Sequence, residues 1–218
     1  MKKYSTVIFD LDGTLADTSL GIYNCYKYSL TQMGFDEPTN EKLGNVIGAP
    51  LLQSFIDNFK LCPAQAKRAV EIYRKRYSET GIYEAHLYEG IEELLQVLKL
   101  NGYKLCVATL KNEKFAKIML ESFKVSKYFD IIHGIDQHDK LRKEDLIMLC
   151  IEESNVSKDE SVLVGDSIYD ANGAKACGID FIGVSYGFGF KSKEEVYNSG
   201  AVKAVDDPQQ LAEFLQKV

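Results

Sequence analysis

The sequence predicts an α/β fold, a doubly wound parallel sheet with an inserted small all-helical domain after its first strand. Three observations lead there. From residue 104 onward, short apolar runs of strand length alternate with helical patterns, the order that yields a parallel sheet covered on both faces. Residues 16–85 carry helical patterns alone. A single apolar run, Val7-Ile8-Phe9, stands ahead of that helical block and reads as a buried strand. The expected domains are therefore 1–15 with 86–218, and 16–85.

Val7 to Phe9 is the first strand. Thr18 or Ser19 caps a helix to about Met33, which Gly34 stops, and further helices are expected near 39–46, 50–59 and 64–80, the last closed by Gly81. From Tyr88 the pattern gives a helix at 91–100, a strand at 104–109, a helix from Asn112 to about Ser122 and a strand at 129–134. A helix at 143–154, a strand at 161–165, a helix at 169–177 and a strand at 181–185 follow. The last two helices are expected at 193–199, capped by Ser192 with Glu195 three residues on, and at 208–216, opened by Pro208.

The first strand ends unusually. Asp10 and Asp12 follow its apolar residues two apart, so in an extended chain both face one side. At about 6 Å and an effective dielectric of about 20 two such charges repel by roughly 3 kcal/mol. A shared proton, a basic partner or a metal cation must offset this. Gly13 permits a sharp turn and a close backbone approach, and Thr14 adds a hydroxyl. Ligands of open α/β sheets bind at the carboxyl ends of strands. There the sequence places Asp10 and Asp12, Thr109, and Asp166 after Gly165, with Asp170 four residues on and on the same helical face. Four carboxylates from remote segments would converge, and Mg²⁺, which takes carboxylate and backbone oxygens, suits them.

Composition narrows the function classes. The chain of 218 residues is 45% hydrophobic with a net charge of -6, a globular balance that argues against a duplex nucleic-acid binder. It shows no span of about 18 apolar residues, and Asp10 breaks the opening apolar segment too early for a signal peptide, so a cytoplasmic protein without membrane partners is expected. Five cysteines, at 25, 62, 106, 150 and 177, read as reduced thiols behaving as small hydrophobes. His86, His133 and His138 lack zinc-site spacing.

The set Asp-Leu-Asp-Gly-Thr (10–14), Thr109, Lys143 and Gly-Asp-Ser-Ile-Tyr-Asp (165–170) resembles the haloacid dehalogenase-like phosphohydrolase superfamily, with its motifs in order at strand ends. Residues 16–85 match the position of that family's small helical cap. IGAPLLQSF (47–55), LYEGIEELLQVL (87–98) and GVSYGFG (183–189) look like the branch containing phosphoglycolate phosphatases, pyrophosphatases and 5′-nucleotidase-like enzymes. The resemblance implies a phosphatase acting on a small phosphorylated metabolite. Asp10 would be the nucleophile that forms an aspartyl phosphate, and Asp12 the general acid and base. Mg²⁺ would be held by Asp10, the backbone carbonyl of Asp12, Asp166 and Asp170. Gly13, Thr14, Thr109 and Lys143 would bind the phosphoryl group, with Lys143 preferred over Lys140 and Arg142. Leu110 departs from the small or polar residue usual after the motif threonine. The cap would act as a lid, with hinges near 16–18 and 84–88.

Other features carry two readings each. Residues 45–50 form a substrate-facing turn or a plain loop; Arg74, Lys75 and Arg76 read as a solvated helix face in preference to a phosphate clamp; Gly187-Phe188-Gly189 is a mobile flap or a tight turn. A phosphomutase of the β-phosphoglucomutase type and a non-catalytic phosphate-binding module stand as alternatives.

Overall fold

A computed structural model describes residues 3–44, 46–136 and 140–218; Asn45, which opens the 45–50 turn, and His138 lie outside the described residues. The chain divides into two compact units, one of residues 1–16 and 87–218, the other of residues 17–86.

The larger unit is built on a six-stranded sheet in which every neighbouring pair is parallel. Its strands are β1 (Thr6–Phe9), β4 (Lys104–Asn112), β5 (Ile131–Ile135), β6 (Ser161–Gly165), β7 (Asp180–Val184) and β8 (Lys203–Val205). The spatial order β5-β4-β1-β6-β7-β8 puts β1 at the centre, between β4 and β6. Strand connections run to one side of β1 and then to the other, so the carboxyl end of β1 is the topological switch point where such sheets bind ligands. β1 and β6 are buried along their whole length and apolar after their first residues, Thr6 and Ser161, as strands covered on both faces require.

Between the strands run α5 (Ile91–Leu100), α6 (Glu113–Ser122), α7 (Lys143–Ser154), α8 (Ile168–Cys177), α9 (Lys193–Asn198) and α10 (Pro208–Lys217). Ser192 accepts the Glu195 N–H, and Asp207 caps the helix that Pro208 opens. The elements expected from the sequence fall within a few residues of these bounds. β8 was not expected, being three residues long and beginning with a lysine.

The smaller unit contains α1 (Ser19–Gln32), α2 (Asn40–Leu43), α3 (Leu51–Phe59) and α4 (Pro63–Glu79), then a 3₁₀ turn at Gly81–Tyr83. The helix expected over 39–46 is shortened to four residues that Thr39 caps. Tyr26, Phe55, Phe59, Tyr73 and Tyr77 form its aromatic core, with ring centroids 4.7 Å apart for Tyr26 and Phe55. Two glycines let α1 meet the turn after α4: a Cβ on Gly21 would stand 2.1 Å from the Gly81 carbonyl, and one on Gly81 2.6 Å from Cys25 Sγ. Arg76 corrects the solvated-face reading: its guanidinium bonds both Glu84 oxygens at 3.0 Å and is half-buried. It lies three residues beyond buried Tyr73 and thus on the inward face of α4. Where the chain passes between units, β2 (Ala16–Asp17) and β3 (His86–Leu87) pair as a separate two-stranded sheet.

Cys25, Cys106, Cys150 and Cys177 are buried thiols; Cys62 is exposed at the start of α4, where it differs from the expectation. No helix among the described residues is long and apolar enough to cross a membrane.

Candidate active site

The carboxyl ends of β1, β4 and β6 bring together residues far apart in the chain. Asp10 follows β1 directly, held by its N–H to the Val164 carbonyl at 2.9 Å. Asp166 follows β6, and Asp170 lies in the first turn of α8. One carboxylate oxygen from each of Asp10, Asp166 and Asp170 lies within 4.8 Å of the others, and all three residues are buried.

Each acid has an identifiable support. Asp166 is wrapped by the turn at 187–189: its Oδ2 accepts the N–H groups of Phe188 at 2.7 Å and Gly189 at 3.0 Å, and its carbonyl accepts that of Phe190 at 2.9 Å. The glycines are required there, since a Cβ on Gly187 would come within 2.4 Å of Asp166 Cβ and one on Gly189 within 2.5 Å of the Asp166 carbonyl. The tight-turn reading of this segment is therefore the one observed. Asp170 Oδ2 accepts the Ser167 N–H at 3.0 Å and hydroxyl at 2.6 Å, a capping arrangement that starts α8. Gly13 turns the chain at a φ of +83°, and a Cβ there would stand 2.3 Å from Asp166 Oδ2.

Lys143 reaches this cluster from the first residue of α7. Its ammonium donates to Asp10 Oδ1 at 2.6 Å and the Ala108 carbonyl at 2.6 Å, and pairs with Asp170 Oδ1 at 2.7 Å. Those contacts use all three of its donors. In this arrangement the ammonium serves acceptors of the protein itself. Gly173 makes room for its stem, as a Cβ there would meet Lys143 Cγ at 2.8 Å. Arg142, whose side chain is 72% exposed, and exposed Lys140 stay outside the cluster.

Asp12 takes a different partner. Its Oδ1 pairs with Lys111 Nζ at 2.8 Å, and its side chain is not one of the triad. Thr109 is buried, and its Oγ1 accepts the Lys111 N–H at 3.2 Å, leaving its own proton to donate. The Thr14 hydroxyl is buried with no hydrogen-bond partner among the described residues, while the Tyr186 hydroxyl donates to the Thr14 carbonyl at 2.9 Å. The Gly13 and Thr14 N–H groups are already bonded to the carbonyls of Ala16 and Leu11, so Gly13 contributes space rather than a donor. Leu110 leans on the apolar cluster of α7 and α8 beside Ile135 and Leu141.

Burial pushes the Asp10 carboxyl up to about 7, with Lys143 opposing and Asp170 and Asp12 adding to the shift. Burial, Asp170 and Asp10 push Asp166 up to about 8 against the Gly189 and Phe188 amides. Burial disfavours the Lys143 ammonium, yet Asp10 and Asp170 outweigh it and raise its pKa. Once all four carboxyls are ionised, the two ammonium groups leave two negative charges, which one divalent cation would balance. Three clustered carboxylates are also the hard oxygen donors such an ion prefers. The residues present therefore fit a divalent metal.

Lys111, Tyr186 and the 187–189 amides were not foreseen as site residues. The only sequence signal for the last was two glycines bracketing an aromatic residue just beyond a strand.

The sequence matches the family model for haloacid dehalogenase-like hydrolases over residues 7–184. A 5′-nucleotidase of Pseudomonas aeruginosa is 37% identical over 188 residues, 86% of this chain and 85% of that protein. The tyrosine-protein kinase PtkA of Mycobacterium tuberculosis is 32% identical over 184 residues, 84% of this chain and 62% of that protein. A crystal structure of a predicted phosphatase from Clostridium acetobutylicum shares the fold with a TM-score of 0.91 at 38% identity, covering 99% of each chain.

Proposed function

The chain belongs to the haloacid dehalogenase-like hydrolase family and is a phosphatase, and on that premise we propose that it hydrolyses a small phosphorylated metabolite with Mg²⁺, through an aspartyl phosphate on Asp10. The observation that carries this reading is the convergence of Asp10, Asp166 and Asp170 within 4.8 Å at the switch point of the sheet. The helical unit of residues 17–86 would serve as the cap that the resemblance implies.

Asp10 would attack phosphorus while the bond to the leaving oxygen breaks. Asp12 would give its proton to that oxygen, then take one from the water that cleaves the aspartyl phosphate and frees inorganic phosphate. Lys143 fixes the rotation of the Asp10 carboxylate through Oδ1. The Thr109 hydroxyl and the Thr14 hydroxyl, with nearby backbone N–H groups, would meet phosphoryl oxygens. Asp10, Asp166 and Asp170 would hold Mg²⁺, which when bound would supply charge neutralisation for the approaching anion. The 5′-nucleotidase relative supports a small phosphate monoester as substrate.

The test is phosphate release from nucleotides, phosphoglycolate, sugar phosphates and pyrophosphate, with and without Mg²⁺, beside Asp10→Asn. Release that requires both the ion and Asp10 is expected. Equal inertness of wild type and variant on every compound overturns the reading.

A further inference from the structure

Resting on that phosphatase reading, we propose that Lys111 is the positioning residue of the Asp12 carboxylate, holding it where it can pass protons to the leaving oxygen and from the attacking water. Lys111 Nζ lies 2.8 Å from Asp12 Oδ1, and the two side chains are only 7% and 13% exposed. A lysine ordinarily keeps its ammonium in water, and withdrawing one costs several kcal/mol unless an anion meets it. Here the backbone is arranged to bring it in.

Three features turn Lys111 toward Asp12. The register of β4 against β5 jumps between Thr109 and Asn112, a local irregularity that re-aims the residues within it. The Thr109 hydroxyl accepts the Lys111 N–H at 3.2 Å and so fixes the backbone at the jump. Opposite, Gly134 allows the close approach, because a Cβ on it would stand 2.5 Å from the Lys111 carbonyl. The second buried ammonium of the site cannot substitute, since Lys143 is committed to Asp10, Ala108 and Asp170. The two lysines thus divide the work, one orienting the nucleophile and the other the proton carrier. A displacement of about 1 Å in such a group costs on the order of 10²-fold in rate.

The test compares Lys111→Met and Lys111→Arg with wild type in Mg²⁺, using two substrates. Glycerol phosphate has an alkoxide leaving group that needs a proton; p-nitrophenyl phosphate has one that does not. With glycerol phosphate, Lys111→Met is expected to lose on the order of 10²-fold in kcat. With p-nitrophenyl phosphate its first turnover persists as a burst of nitrophenolate, followed by a slow steady rate while acid-quenched protein carries phosphate on Asp10. Lys111→Arg restores part of the loss. Calorimetric Mg²⁺ affinity is expected to stay at the wild-type level, because the Lys111 ammonium faces Asp12, whose side chain is not one of the triad. A first turnover of p-nitrophenyl phosphate slowed as much as that of glycerol phosphate, or ion affinity lost together with activity, overturns the proposal while leaving the phosphatase reading intact. A wild type inert on every phosphate compound overturns both.

Discussion

Lys143 stands 2.6 Å from Asp10, ammonium to carboxylate, with both side chains withdrawn from water and drawn from opposite halves of the sequence. A pair of this kind is weak evidence for stability as a pair, yet breaking it leaves uncompensated charge in the interior. Lys143→Met should therefore destabilise the protein by about 3 to 5 kcal/mol, because Asp10 and Asp170 lose their common partner. Urea unfolding of the metal-free protein measures this. A loss below that of an ordinary surface substitution would show that the cluster is held some other way.

Gly13 and Asp166 meet so closely that the turn tolerates no side chain. Gly13→Ala combines a positive φ with a contact of 2.3 Å to Asp166 Oδ2. The backbone conformation alone costs about 1 to 3 kcal/mol, and relief of the contact must move the Asp166 carboxylate. The expected result is a lower melting temperature together with weaker divalent-ion binding, followed by thermal unfolding and calorimetry. Retention of both values would sink it.

Asp10 and Asp166, raised to about 7 and about 8, hold protons that a cation must displace. The folded metal-free protein then binds more protons than the unfolded chain across the interval from the usual carboxylate range up to about 8. Its stability should fall as pH rises through that interval. A divalent ion such as Mg²⁺ should reverse the trend: its apparent affinity should increase with pH, and at 100 times the dissociation constant it should add about 2.7 kcal/mol. Melting curves at pH 6 and pH 8.5, with and without the ion, test both signs. A metal-free protein more stable at the higher pH would contradict the assignment.

Arg76 bonding holds the Glu84 carboxyl below the usual glutamate range, against a smaller opposing effect of burial. The stabilisation is fully present above the unfolded value of about 4.3 and is lost as pH falls through the lower folded one. Glu84→Gln should cost about 1.5 to 3 kcal/mol at neutral pH and less in acid. Denaturant unfolding at pH 7 and pH 3 would separate the two, and equal losses at both would refute the assignment.

The parallel sheet, its helical insert and the acid triad were legible in the sequence because each rests on a local pattern. Asp10 and Asp166 stand directly after apolar runs, and Asp170 follows Asp166 by one helical turn. Lys143 was legible only through family resemblance, since Lys140 and Arg142 offer the same charge nearby. Lys111 was not, because its direction depends on a register jump between two strands that no local spacing records. The amides that hold Asp166 come from a turn more than twenty residues away, and a Gly-Phe-Gly turn looks the same wherever it folds. Arg76 carried a usable signal in its spacing from Tyr73, masked by its two basic neighbours.

The central position of β1 also governs how the molecule comes into being. Thr6 pairs with Ser161, so β1 waits for a strand far along the chain before its second edge is covered. Such distant pairings are slow to form. A nascent chain halted before β6 carries Asp10 and Asp12 but not Asp166 or Asp170, so the acid triad is complete only once that strand and the start of α8 have been made.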